Sequence, residues 1–226
     1  MPRTARIVAV GHPHHVTQRG NNRQDVFFVD EDRYAYLYFL KQESKKHKLL
    51  ILGYCLMTNH IHLIAKPLSA EALAAAVGRT HFRYAQHINR FHARSGHLWQ
   101  NRFYSCALDE KHYFEAMKYI ERNPVRAKLA TRAWNYAWSS AAAHVGENDS
   151  SGLLDIELWR KETSAESWKR NLIQKDDLET ALMIKTVTSS GRPLGSDAFI
   201  SKLETMIGRR LRPMPVGRPR KEGFNR

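Results

Sequence analysis

The spacing of apolar residues changes several times along this chain, and each change marks an element. After Pro13 comes a short extended run, His14-His15-Val16-Thr17-Gln18. Arg19-Gly20-Asn21-Asn22-Arg23 then reads as a loop, because Gly and Asn tolerate turn backbone angles. Tyr34, Leu37, Tyr38 and Lys41 recur at helical spacing and predict a helix over 31–48, with Asp30 as its N-cap. Lys45, Lys46 and Lys48 complement the dipole at its end. Two apolar runs, Leu49 to Met57 and His60 to Lys66, flank Thr58-Asn59 and read as a hairpin. A second helix is predicted from a Ser69 cap to Arg94, burying Leu73, Val77, Tyr84, Ile88 and Phe91, with Gly96 ending it. Leu98 to Leu108 reads as an aromatic-rich strand. Asp109 then caps a third helix over 110–123, which Pro124 stops.

That order is strand, helix, strand, strand, helix, strand, helix. It predicts an α+β fold, a ferredoxin-like antiparallel sheet with helices on one face, occupying residues 1–145. Trp134, Tyr136 and Trp138 are expected to pack against this domain, and a short helix to open at 138–140. Beyond the polar linker at 147–152 the pattern turns helical, over 155–162, 164–174, 176–186 and 197–207. Residues 146–226 are thus expected to form a helical, basic extension that binds DNA, ending in Gly217-Arg218-Pro219-Arg220-Lys221.

Charge narrows the partner. Thirty-six Lys and Arg residues against 22 Asp and Glu give a formal net charge of +14. A domain that basic most often meets a polyanion, nucleic acid first. Cys55 and Cys106 lack CxxC spacing and lie in apolar runs, as small core residues in a reducing compartment do. No apolar run is long enough for a membrane span, and the N-terminus lacks the apolar core of a signal peptide. The expectation is a cytoplasmic protein associated with the nucleoid.

The chemistry concentrates in two segments. On a strand, His60 and His62 point to one face while Ile61 and Leu63 point to the other, so two imidazoles stand side by side and can chelate one divalent cation. A His-x-His pair alone is more often two ordinary strand histidines. The second segment, Tyr119-Ile120-Glu121-Arg122-Asn123-Pro124, changes that balance. On a wheel of about 100° per residue, Tyr113, Phe114, Met117 and Ile120 form the buried stripe, while Tyr119 falls roughly opposite with Asn123 about 40° from it. A divalent cation, Mg²⁺ or Mn²⁺, offsets phosphodiester charge, and a tyrosine hydroxyl can then attack phosphorus to form a phosphotyrosine. His60 and His62 supply two ligands, and Asn123 a third through its amide oxygen. The plainer alternatives are an exposed helix tyrosine and a cap before Pro124.

These segments, Tyr54-Cys55-Leu56-Met57-Thr58-Asn59-His60-Ile61-His62-Leu63, Gly96-His97-Leu98-Trp99-Gln100-Asn101-Arg102-Phe103 and Tyr119 to Ala127, strongly resemble the single-tyrosine HUH transposases of the IS200 type, and within them the REP-associated tyrosine transposases. The resemblance covers residues 7 to 145. It implies that His60 and His62 bind the metal, that Asn123 is the polar third ligand, and that Tyr119 cleaves single-stranded DNA beside a hairpin. Cleavage would leave a 5′-phosphotyrosine and a free 3′-OH. Gly191-Arg192-Pro193-Leu194-Gly195-Ser196 and the terminal Gly-Arg-Pro resemble the basic extension of the REP-associated members, which implies recognition of short palindromic hairpins. Arg19, Asn21, Arg23, Arg79, Arg83, Arg102, Arg126, Arg192, Arg218 and Arg220 form the expected DNA-contacting set, solvation being the plainer role of each.

Two other readings compete. A hairpin-binding protein or repressor that has lost catalysis would not need the complete set His60, His62, Tyr119 and Asn123. An RNA-binding protein would suit the charge, but the aromatic pattern of an RNA-recognition motif is missing. Related insertion-sequence transposases dimerise and exchange the tyrosine helix, but the resemblance to the REP-associated branch, with its added C-terminal region, implies a monomer rather than a homodimer, with Tyr119 acting in its own subunit.

Overall fold

The computed structural model describes residues 6–212. Its first half runs β1 (His14–Arg19), α1 (Asp30–Lys46), β2 (Leu49–Met57), β3 (His60–Pro67), α2 (Ala72–Phe91) and β4 (Tyr104–Ala107). All four strands pair antiparallel in the order β2-β3-β1-β4. This is the ferredoxin-like alternation that the sequence pattern predicts. α3 (Glu110–Glu121) follows, and a single turn, α4 (Asn123–Arg126), continues it.

The alternation of side chains builds two cores. Val16, Tyr54, Leu56, Ile61, Leu63 and Ala65 face α1 and α2 and pack with Tyr36, Leu40, Leu73, Val77 and Tyr84. Cys55, Met57, Ile64 and Cys106 face the other way, against Tyr113, Ala116, Met117 and Ile120 of α3. Helices on one face therefore describe α1 and α2, while α3 lies across the sheet from them. The reason is already in β2, whose unbroken apolar run leaves neither face fit for water. At Gly53 on β2 an added Cβ would lie 2.4 Å from Met117 Sδ, so this glycine sets how closely α3 approaches.

After α3 the chain makes α5 (Ala141–His144), α6 (Ile156–Glu162), α7 (Ala165–Ile173), α8 (Leu178–Ser190) and α9 (Asp197–Ile207). Asp155, Ser164, Asp177 and Ser196 cap the last four through side-chain oxygens. Trp159, Trp168, Leu172 and Ile184 join the α3 core. Gly191 ends α8 at φ 71°, and Leu194 then hydrogen-bonds beside the end of β4, its N–H donating to the Ala107 carbonyl at 2.8 Å.

Several boundaries move. The Asp32 carboxylate, rather than Asp30, accepts from the Phe28 and Val29 N–H groups ahead of α1, at 2.7 and 3.1 Å. α2 begins at Ala72 without a side-chain cap and ends at Phe91, which is 75% exposed rather than buried, and Gly96 lies in the following loop. The strand expected from Leu98 shrinks to Tyr104–Ala107, because β1 turns away at Gly20 and only an isolated bridge to Trp99 remains. Pro124 does not end the helical path. The axis breaks at Arg122, and Pro124 sits in the first turn of α4, where its missing N–H costs nothing.

Candidate active site

β3 sets His60 and His62 on the α3 face, with ring centroids 5.0 Å apart. Each Nδ1 is already engaged. His60 Nδ1 meets Asn59 Oδ1 at 2.7 Å, and the Asn59 amide nitrogen donates to the Arg23 carbonyl at 3.1 Å. His62 Nδ1 meets His15 Nε2 at 2.8 Å. That leaves the Nε2 atoms of both rings as the nitrogens for a ligand. Burial holds the His62 imidazolium well below its ordinary range, with His60 and His15 adding to the effect. Burial and the Arg19 charge lower His60 to about 4. Both imidazoles are therefore neutral near pH 7, the form that binds a cation.

Asn123 opens α4 with its amide nitrogen 3.3 Å from His60 Nε2. Amide nitrogen and oxygen are distinguished only by their surroundings, so a rotated amide presents Oδ1 at the same place. Among the described residues no three His, Cys, Asp or Glu side chains are grouped to hold a metal. The available donor set is two imidazole nitrogens and one amide oxygen, which leaves the remaining positions to water or phosphate oxygens. Such a set suits a cation that keeps several oxygen ligands, as Mg²⁺ and Mn²⁺ do.

The Tyr119 ring stands edge-on to His62 and His15, at centroid distances of 5.7 and 6.0 Å. It is partly buried against the α3 core, not opposite it. Ala116, fully buried, widens the stripe towards Tyr119, which sits at about 60° from it on the wheel. The helix flank, not its solvent side, is what faces the histidines. Burial raises the Tyr119 phenol above its ordinary value, while Arg126 and Arg19 pull it down. The Arg126 guanidinium lies 4.3 Å from the ring centroid and also donates to the Tyr119 carbonyl.

The basic residues divide into groups. Arg19 is exposed on β1 opposite His60, and the Asn21–Arg23 turn follows it. Arg126 is committed to Tyr119 and to Asp176, 3.3 Å away. Arg79 and Arg83 lie on α2, across the sheet from the histidines, and Arg83 is paired with Glu43 at 2.8 Å. Arg102 and Arg192 are exposed and border an open cleft of about 650 Å³ beside β4, with Tyr104 and Arg6. The buried Ser105 hydroxyl, also on this cleft, has no hydrogen-bond partner among the described residues. Arg218 and Arg220 lie outside the described residues.

His15, Asn59 and Thr188 were not singled out by the sequence pattern. Asn59 carried a signal, since it directly precedes His60. Thr188, in the body of a helix far along the chain, carried none.

A ferredoxin-like α+β domain that sets a His-hydrophobic-His pair against a helical tyrosine defines a narrow class. Residues 10–123, half of the chain, match the family described as "Transposase IS200 like". The chain belongs to the IS200-like transposase family. Among solved structures it resembles a REP-associated tyrosine transposase bound to a REP hairpin, at 18% identity and a TM-score of 0.55, covering 69% of this chain and 90% of that one. A putative transposase from Deinococcus radiodurans R1 also matches, at 18% identity and a TM-score of 0.37, covering 57% of this chain and 92% of that one. No curated protein matches significantly.

Proposed function

We propose that this chain is a REP-associated member of its family, a metal-dependent endonuclease and strand transferase acting on single-stranded DNA beside palindromic hairpins in the nucleoid. The observation that carries this reading is the approach of the Tyr119 ring to within 5.7 Å of His62 of the same chain, with Asn123 beside His60. A bound Mg²⁺ or Mn²⁺ would offset phosphate charge and orient the scissile group. His60, His62 and Asn123 would hold it.

The Tyr119 phenol oxygen attacks phosphorus, forming the Tyr–O–P bond as the P–O3′ bond breaks. The phenol gives up its proton, the departing oxygen gains one, and the products are a 5′-phosphotyrosine and a free 3′-OH. Arg126, over the ring, favours the phenolate that attacks. A later 3′-OH attacks the same phosphorus, rejoining DNA and releasing Tyr119. The unpaired strand runs by Arg19, Asn21 and Arg23 and into the cleft of Arg102, Tyr104 and Arg192, where phosphates meet arginines and a base can stack on the tyrosine. Arg79, Arg83, Arg218 and Arg220 complete the proposed DNA-contacting set. Because Tyr119 faces its own chain's histidines, a monomer suffices.

The test is incubation with an end-labelled hairpin oligonucleotide and Mn²⁺, read on a denaturing gel. The expected result is a covalent protein–DNA band that Tyr119→Phe abolishes while hairpin binding persists. A wild type that binds hairpins but never yields the band overturns the enzymatic reading.

A further inference from the structure

The appended helix α8 reaches the site through one hydroxyl. His15 Nε2 lies 2.8 Å from His62 Nδ1, and His15 Nδ1 lies 2.8 Å from Thr188 Oγ1. All three side chains are buried, His15 and Thr188 at 1% exposure. The His15 and His62 ring planes are within 14° and their centroids 5.1 Å apart, as an in-plane bond from one ring nitrogen to the other requires. A residue kept only for packing would be apolar here, like Ile64 and Cys106, which pair with it across the sheet. A buried imidazole is instead held at both nitrogens.

We propose that His15 and Thr188 are positioning residues that fix the tautomer and orientation of His62 for metal binding. The inference rests on the metal-site reading above. Only one proton can lie between His15 and His62. If His62 presents Nε2 to a cation, its proton is on Nδ1 and is donated to His15 Nε2. His15 must then carry its own proton on Nδ1 and donate it to Thr188 Oγ1. The hydroxyl can accept that proton, so every partner is satisfied in the tautomer in which His62 presents Nε2, and His15 holds the ring in it. Partners of this kind raise the basicity of a ligand imidazole and stop its ring from turning. The extension is thereby part of the ligand's support, although it contributes no ligand itself.

The test uses the full chain without DNA. Mn²⁺ binding by calorimetry should weaken about 10–100-fold in His15→Phe, less in Thr188→Val, and return to the wild-type value in Thr188→Ser. Long-range nitrogen NMR should find His62 protonated at Nδ1 in the wild type and shifted towards Nε2 protonation in His15→Phe. Thermal melts identify folded variants, and Thr188→Val, nearly isosteric, carries the test if His15→Phe does not fold. Folded variants that bind Mn²⁺ as the wild type does, or a wild-type His62 protonated at Nε2, overturn the positioning role alone. A wild type that binds no Mn²⁺ overturns the metal-site reading and this inference with it.

Discussion

Tyr119, the proposed nucleophile, is held between opposing influences. Burial disfavours the phenolate, while the Arg126 guanidinium against the ring and the Arg19 charge favour it. Removing Arg126 leaves burial less opposed, so the phenol pKa rises and less phenolate exists at a given pH. For Arg126→Ala the expected outcome is slower cleavage near pH 7, with the rising limb of the pH–rate profile displaced to higher pH. Arg126→Lys, which keeps the charge, should show a smaller displacement. Single-turnover cleavage between pH 6 and 10 at fixed Mn²⁺ measures both, and an unmoved profile would remove Arg126 from the chemistry.

Two residues after Tyr119, Glu121 turns to the other side of α3 and ties that helix to the extension. Its Oε1 accepts from Ser140 Oγ at 2.5 Å and meets His144 Nδ1 at 2.6 Å, and its Oε2 accepts from Trp168 Nε1 at 2.8 Å. Glu121 is fully buried, and His144 stacks on Trp159 at 4.0 Å. One carboxylate thus joins α3, α5 and α7. Glu121→Ala would strand these donors without water, a loss of about 3–5 kcal/mol by comparison with other broken buried pairs. Trp168→Phe removes one donor and keeps an apolar ring, so a smaller loss is expected. Urea denaturation followed by tryptophan fluorescence gives both values. If Glu121→Ala unfolds at the wild-type midpoint, the carboxylate does not anchor the helix.

Across the molecule, buried neutral histidines set a lower pH limit on stability. Burial takes His14 to about 4, and burial with the nearby Arg6 takes His81 to about 3, against an ordinary 6.5. Below pH 6.5 the unfolded chain therefore binds protons that the folded chain refuses, and stability is lost as pH falls towards those lower values. At pH 5 each such imidazole costs about 2 kcal/mol relative to pH 7.5. The melting temperature should fall steeply between pH 6.5 and 4, and His81→Phe should flatten part of that fall. A melting temperature unchanged over this window would contradict the burial of these rings. Among the described residues, Trp159 and Trp168 lie in one core with Met117 of α3, so the helices that follow pack onto the sheet domain. Among the described residues no helix is long and apolar enough to cross a membrane.

What the sequence determined by itself was local. Extended and apolar runs between turn residues, and helical spacings, located the four strands and their crossover helices, and Asp109, Asp155, Ser164 and Ser196 lie where caps were legible or adjacent to the starts predicted. The His60–His62 pair and the Tyr119–Asn123 turn were readable because each spans only a few residues, within which backbone geometry fixes the side-chain directions. Only the tertiary structure decided which face of the sheet α3 covers, that Tyr119 lies on the flank of its buried stripe, and that Arg126 closes over the ring. It alone joined His62 to His15 and Thr188. Those contacts follow from which surfaces meet across long stretches of chain, and such meetings leave no periodicity behind for a sequence to display.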